Sequence, residues 1–553
     1  MGHTSGVPAD RPRVLEDLLG TAGRLIVVSN RGPITFHLDP STAAGLSAAR
    51  GAGGLVTALG ELGRHAPLSW VAAAITDGDR AAAPYLARRG RHRARRQPGE
   101  RFAPAVIDDL VDSVLPDQDI RLHLVDLDPS VFEPYYNTVA NPFLWFLQHR
   151  MFAPAYGPNV DAALLTAWRG GYRPANDALG DAAVTAAGDN PRPVILLQDY
   201  HLYLAAARIR RRLPQATILH FNHIPWPAAG EWQMLPASMR RTICEGLLEC
   251  DIVGLQTDRY ASNFLDTVGD AVRDARVDPD SRTVRWRGRR VPVRTYPISI
   301  DPEGLARFAR SSEVEQRVAR LRERLERAGN PRLIVRADRI EPSKNALRGF
   351  LALEELLDRE PSLHERVRFL AVMAPTRTSI SEYAEYAQAV REVVARINGL
   401  SDPDDAPVWI SDGTDYAMAI AALRLADVVL VNPLVDGMNL VAKEAVLVGE
   451  HNPVLVLSET AGAAEQLAAD SLVVAPADIA GTADQLRRAL EMPAEERRAR
   501  IRRMRLSVRH EDVRWWLDRQ LRDVAAVRRG LPPPSRRLRD TLRRVETEGL
   551  SGD

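Results

Sequence analysis

The sequence predicts an α/β protein built from two parallel-sheet domains, and three observations carry that reading. Short runs rich in Val, Ile and Leu alternate with longer helical patterns from end to end, the signature of parallel units joined by right-handed crossovers. At 553 residues the chain exceeds one ordinary core and divides naturally into domains of roughly 200 to 250 residues. Between the halves, Tyr296-Pro297-Ile298-Ser299-Ile300-Asp301-Pro302 carries two prolines that discourage helix continuation, which places the domain boundary there.

Residues 1–23 form an N-terminal extension and 24–297 the first domain, with strands expected at Leu25 to Ser29, Val194 to Gln198, Thr217 to Phe221 and Ile252 to Gln256. Residues 298–510 form the second domain. Its strands are expected at Leu333 to Arg336, Phe369 to Met373, Val408 to Ser411, Val428 to Asn432, Val454 to Ser458 and Leu472 to Ala475. An amphipathic helix at Val513 to Val527, within a 511–529 segment, carries Trp515 and Trp516 as packing residues and folds back on the first domain. The Pro- and Arg-containing stretch 530–553 reads as a poorly ordered tail. The basic run from Leu86 to Arg101 has no apolar periodicity and no aromatic residues for stacking, so it reads as a solvated loop rather than an RNA site.

Composition excludes several function classes. With 73 basic and 72 acidic residues the formal charge is +1, so no global field favours nucleic acid or an anionic membrane. Cys244 and Cys250 lie six apart in a helical pattern, on different faces, which argues against a disulfide and a zinc site alike. The first residues lack a signal-peptide core, and nowhere do eighteen apolar residues run together. A soluble cytoplasmic protein is the expectation.

The stretch Val429 to Glu444, VLVNPLVDGMNLVAKE, sets a glycine turn and two carboxylates between an apolar strand and a helical pattern over Met438 to Val448. Unpaired N–H groups after Gly437, together with the positive end of the helix, suit a pyrophosphate. Asp436 and Glu444 remain free to accept hydrogen bonds from a hexose and a ribose. Ser29-Asn30-Arg31 ends the first strand and faces a glycine cluster, Gly51-Ala52-Gly53-Gly54, so the Arg31 fork is suited to a phosphate. Gln198-Asp199-Tyr200-His201 and His220-Phe221-Asn222-His223 follow two further strands, where Asp199 and His223 can orient sugar hydroxyls. Arg336-Ala337-Asp338-Arg339 through Lys344 leaves a strand rich in cations, and Arg339 with Lys344 would stabilise a diphosphate leaving group as a metal does elsewhere. The plainer readings are capped turns, structural histidines and surface cations.

Taken in order, Ser-Asn-Arg, Gly-Gly-Leu, Tyr-Tyr-Asn, Asp-Tyr-His-Leu, His-Ile-Pro, Arg-x-x-x-Ser-Lys, Ala-Pro-Thr and Asp-Gly-Met-Asn-Leu-Val-Ala-Lys-Glu run from about Leu25 to Leu521. The set resembles the trehalose-6-phosphate synthase family, glycosyltransferase family 20. The resemblance implies a GT-B fold, two Rossmann-like domains facing a central cleft. It implies retaining transfer of glucose from UDP-, GDP- or ADP-glucose to glucose 6-phosphate, with no cofactor or metal, and leaves a homo-oligomer open. Position by position, Asp199, His223, Arg339 and Lys344 match the catalytic set. Gly53, Gly54, Arg339, Lys344, Asp436, Gly437, Met438, Asn439, Leu440, Val441 and Glu444 match the donor site, with Leu440 and Val441 offering backbone N–H groups. Arg31, Tyr136, Trp145, Asp199 and Arg377 match the acceptor site.

The chain departs from the family pattern at Trp70-Val71-Ala72-Ala73, where an acceptor-wall aromatic is missing, and at Ile340-Glu341-Pro342. Arg377 also stands one position early after Ala-Pro-Thr. Some segments resemble pseudo-glycosyltransferases that join a cyclitol to an aminocyclitol phosphate, so an aminocyclitol phosphate or glycerol 3-phosphate acceptor is the alternative. Tyr136, His201 and Met438 keep the forms of a glucose transferase. The intact set Arg339, Lys344, Asp436 and Glu444 disfavours a non-catalytic sensor.

Overall fold

The computed structural model describes residues 18–20, 23–42, 44–51, 54–86, 102, 104–116, 118–153, 155, 157–376 and 380–531. They divide into two compact units. The first takes the described residues up to Gln148, Phe152–Tyr296 and those from Arg514 on; the second takes His149–Met151 and Pro297–Val513.

The first unit is centred on a nine-stranded sheet. Its order is Ile120–Val125, Leu68–Ala73, Leu25–Ser29, Val194–Gln198, Thr217–Phe221, Ile252–Leu255, Arg289–Thr295, Thr283–Trp286 and Arg276–Asp278. The first seven run parallel and the last two turn back antiparallel. Leu25–Ser29 and Val194–Gln198 are buried along their whole length, as strands covered on both faces must be. Five strands of this sheet were not foreseen from sequence: Leu68–Ala73, Ile120–Val125 and the trio Arg276–Asp278, Thr283–Trp286 and Arg289–Thr295. Ile120–Val125 lies at the sheet edge and alternates apolar residues with Arg121 and His123, and Leu68–Ala73 is diluted by alanine. A separate hairpin pairs Ile34–Leu38 with Leu46–Arg50.

The second unit carries a six-stranded, wholly parallel sheet in the order Val408–Asp412, Val367–Ala374, Arg332–Arg339, Val428–Val431, Val454–Ser458 and Leu472–Val474. Helices Ala346–Arg359, Ser381–Asn398 and Ile479–Glu491 contribute apolar residues to its core. Phe350 and Phe369 meet there at 5.2 Å with no exposure, each contributing about 1.5–3 kcal/mol by burial. Arg332–Arg339 extends three residues beyond the Leu333 to Arg336 run read from the sequence. Pairing with Val367–Ala374 continues to Arg339↔Ala374, so hydrogen bonding carries the polar residues into the strand.

The helix Val513–Arg528 belongs to the first unit from Arg514 on. Trp516 is fully buried and packs edge-on against Phe221 at 5.4 Å. The Tyr296 hydroxyl donates to Asp523 at 2.6 Å. Both cysteines are buried free thiols, and burial pushes them up from the ordinary range. The basic run beyond Leu86 and the tail beyond Leu531 lie outside the described residues.

Candidate functional site

In the first unit, sheet register brings three of the motifs side by side. Leu25–Ser29, Val194–Gln198 and Thr217–Phe221 are consecutive neighbours, with Val28↔Leu197 and Gln198↔Phe221 in register. Asn30-Arg31, Asp199-Tyr200-His201 and Asn222-His223 therefore leave the carboxyl ends of adjoining strands, where open parallel sheets bind ligands. Arg31 Nη2 donates to the Tyr136 hydroxyl at 3.0 Å. Tyr136 lies between two rings, parallel to Phe132 at 5.3 Å and to His201 at 6.2 Å. A guanidinium, a phenol and an imidazole thus converge on one exposed edge. Trp145 is only 9% exposed and packs on Tyr200 at 5.7 Å, so it supports that wall from behind.

Asp199 has φ 75° and ψ 171°, a strained conformation for a non-glycine residue. Its own N–H donates to Phe221 O at 2.7 Å, and its carboxylate accepts from His223 N–H at 3.1 Å. Burial raises the carboxyl to about 7, against the lowering pull of the Tyr200, His223 and Ile224 N–H groups. The His223 ring meets Gln198 Oε1 at 2.9 Å and lies near Trp516. Burial, helped by His220, lowers its pKa to about 3, so the ring is neutral at ordinary pH. It serves as a hydrogen-bonding group rather than a cation. Sequence reasoning did not single out Trp516 or Gln198 as neighbours of this histidine, because one comes from the far end of the chain and the other faced no recognisable partner.

In the second unit, Arg332–Arg339 lies beside Val428–Val431, so the two cation- and carboxylate-bearing loops meet. Lys344 Nζ donates to Asp436 Oδ2 at 2.5 Å, across 92 positions of sequence. Burial alone would lower the Lys344 ammonium, but Asp436, Glu341 and Asp338 together outweigh it and hold the amine above its ordinary value. Burial would likewise raise Asp436, and Lys344 reverses that. Arg339 binds the buried Glu341 through Nε and Nη2, both at 3.2 Å, yet remains 49% exposed. Against the penalty of burial, Arg339, Lys344 and the Ser343 hydroxyl hold Glu341 at about 2. Beneath them Arg336, fully buried, pairs with Asp338 at 2.8 Å and donates to Lys344 O at 3.0 Å. The departure at Ile340-Glu341-Pro342 thus supplies Arg339 with its anchoring carboxylate. Ser343 bonds Glu341 at 2.6 Å instead of capping a helix, and the helix begins at Ala346.

The helix expected from Met438 begins at Leu440. Asn439, at φ 90°, caps it by accepting from Ala442 N–H at 3.0 Å and donates to Asp436 Oδ2 at 3.1 Å. Leu440 and Val441 occupy its first two positions, whose N–H groups have no intrahelical acceptor. Gly462 backs this turn: its N–H donates to Asp436 O at 3.1 Å, and a Cβ there would stand 2.0 Å from Gly437 O. Glu444 Oε1 accepts from the Tyr416 hydroxyl at 2.8 Å, leaving Oε2 for a ligand hydroxyl, and burial raises its carboxyl. Tyr416 itself stacks on Phe308 at 5.2 Å. Neither Tyr416 nor Gly462 carried a signal in sequence.

Gly54 opens the helix Gly54–His65. Gly53 and Arg377 lie outside the described residues. Among the described residues no group of three His, Cys, Asp or Glu is placed to hold a metal ion, and no helix is long and apolar enough to cross a membrane.

Comparison with known proteins fits this geometry. The model of glycosyltransferase family 20 matches residues 23–526. The chain is 31% identical to a validamine 7-phosphate valienyltransferase of Streptomyces hygroscopicus subsp. jinggangensis, over 92% of this chain and 95% of that protein. It is 31% identical to a trehalose-6-phosphate synthase of Sinorhizobium fredii, over 91% and 98%. Among solved structures it resembles an α,α-trehalose-phosphate synthase (UDP-forming) from Burkholderia xenovorans in complex with glucose-6-phosphate, with TM-score 0.72 and 28% identity over 91% of this chain and 100% of that one.

Proposed function

The chain belongs to glycosyltransferase family 20 and has its GT-B fold, and from that premise we propose a retaining glycosyltransferase that moves glucose from a nucleoside diphosphate glucose to glucose 6-phosphate, giving trehalose 6-phosphate. The observation that carries the reading is the pair of charge arrays. Arg31, Tyr136 and His201 converge in one unit, and Arg339, Lys344 and the free amides at Leu440 and Val441 converge in the other.

In this reading Arg339 and Lys344 neutralise the departing diphosphate, each already held in place by a carboxylate, so little reorganisation is required when charge develops. The amides of Leu440 and Val441 add donors at a helix N-terminus. Asp436 and Glu444 accept from the donor hexose and ribose. On the acceptor side Arg31 with Tyr136 grips the 6-phosphate, and Asp199 accepts from the acceptor glucose. His223, neutral, orients donor hydroxyls. With leaving group and incoming hydroxyl on one face of the sugar, the departing phosphate oxygen takes the acceptor proton. Positioning then matters more than a strong base.

The test is incubation with glucose 6-phosphate and, separately, UDP-, GDP- and ADP-glucose, following nucleoside diphosphate release and product mass. A phosphorylated disaccharide is expected. Protein that binds a nucleoside diphosphate yet gives no product with any donor would overturn glucose 6-phosphate as acceptor. Arg339→Ala is expected to lower turnover at saturating acceptor by at least about 100-fold; unchanged turnover would remove Arg339 from the mechanism.

A further inference from the structure

The helix Ala494–His510 in the second unit sorts its arginines into two sets. Arg497 pairs with Asp427 at 3.2 Å, Arg500 with Glu496 at 2.8 Å and Arg503 with Asp470 at 2.6 Å. Arg498, Arg502 and Arg509 have no carboxylate in ion-pairing reach among the described residues. With Arg505 they fall at positions i, i+4, i+7 and i+11, one face of the helix. That face lines an open cavity of about 330 Å³ in which Leu506, 50% exposed, provides an apolar surface.

Four guanidinium groups on one face repel, and the repulsion is felt: burial and then Arg509 both lower Arg505. In a chain whose charges balance, and whose arginines on this same helix are otherwise neutralised, such a face lacks an anion. Guanidinium forks match phosphate oxygens bidentately. A volume near the lower end of the ~300–1,000 Å³ typical of ligand sites fits a small molecule. No aromatic residue lines the cavity, which removes the stacking surface a single-stranded nucleic acid uses.

We propose that this face is a second anion site, for a small phosphorylated molecule whose phosphate meets Arg498, Arg502 and Arg509 and whose uncharged part covers Leu506. The site is linked to the helix Leu440–Val448. Arg505 donates to Val446 O at 2.9 Å and Gly449 O at 2.6 Å, at the carboxyl end of the helix whose first turn, on the functional reading above, meets the donor diphosphate. A ligand phosphate that draws Arg505 away loosens that end, so occupancy of the groove is transmitted to the donor turn.

The test is calorimetric titration of the full chain with inorganic pyrophosphate at low salt. The wild type is expected to take up two pyrophosphates per chain. Arg498→Gln/Arg502→Gln/Arg509→Gln is expected to lose one and keep the other, while Lys344→Ala loses the other and keeps the groove site. In Lys344→Ala, pyrophosphate is expected to speed amide exchange at residues 446–450. The single change Arg502→Gln, expected to weaken the groove site at least fivefold, serves should the triple variant fail to fold. Undiminished binding by either groove variant, or no binding by a folded Lys344→Ala protein, would overturn the proposal. Groove binding by a protein that makes no sugar product would leave this inference standing and the functional reading fallen.

Discussion

Asp199→Asn separates what the Asp199 carboxyl does for stability from what it does for binding. Its pKa stands at about 7 rather than 3.8 because burial disfavours the ionised form. The folded protein thus holds this proton more tightly than the unfolded chain does. Stability from this group is fully present below pH 3.8 and is lost as pH rises to about 7. At about 1.4 kcal/mol for each tenfold change in proton affinity, the interval corresponds to about 4 kcal/mol. Asp199 is partly exposed, so solvent screening makes that figure a ceiling. Asparagine keeps the shape and the oxygen that accepts from His223 N–H, but it cannot ionise. Urea denaturation followed by tryptophan fluorescence, at about pH 5 and about pH 8.5, gives the comparison, and contributions from all other groups cancel in the difference between the two proteins. Only the part of the interval above pH 5 falls within that range, so the wild type is expected to lose up to about 3 kcal/mol more than the variant across it. Parallel pH dependence would refute the argument. The same ionisation predicts a rising limb centred near 7 in kcat/KM for the acceptor. His220, at about 4, and His223, at about 3, are too acidic to produce it.

Two further substitutions test the donor turn. Gly462→Ala puts a Cβ 2.0 Å from Gly437 O and 2.9 Å from Met438 Cα; because both are backbone atoms, the turn must shift. Nucleoside diphosphate affinity measured by calorimetry is expected to fall at least tenfold with about 1–3 kcal/mol of lost stability, and unchanged affinity would show that the turn does not bind the donor. Tyr416→Phe removes the hydroxyl that orients Glu444. Donor KM is expected to rise about fivefold, the equivalent of one hydrogen bond, with acceptor KM unchanged; equal changes in both would assign Tyr416 a purely structural role.

The second unit was legible because its strands are buried on both faces and read as unbroken apolar runs, as in Val428–Val431 and Val454–Ser458. Ile120–Val125 escaped because an edge strand needs an apolar residue only at alternate positions. The hairpin Ile34–Leu38 with Leu46–Arg50 escaped because its first strand has apolar residues only at alternate positions and its second only one larger than alanine. The site motifs were legible because they stand where parallel strands end, a place fixed by the apolar run before them. Gln198, Trp516, Tyr416 and Gly462 were not, since each matters through a neighbour that only packing supplies.

The sequence by itself determined the α/β class, the family and the identity of the acids and cations at the strand ends, because apolar periodicity and local motifs are properties of consecutive residues. What each group does electrically was decided by the tertiary structure. Asp199 and Asp436 are the same residue type in similar strand-end turns. The first is raised by burial, which outweighs the backbone N–H groups that donate to it, and the second is lowered because Lys344, 92 positions away, donates to it. Charge state depends on distance and dielectric, and both are set only when remote segments pack together.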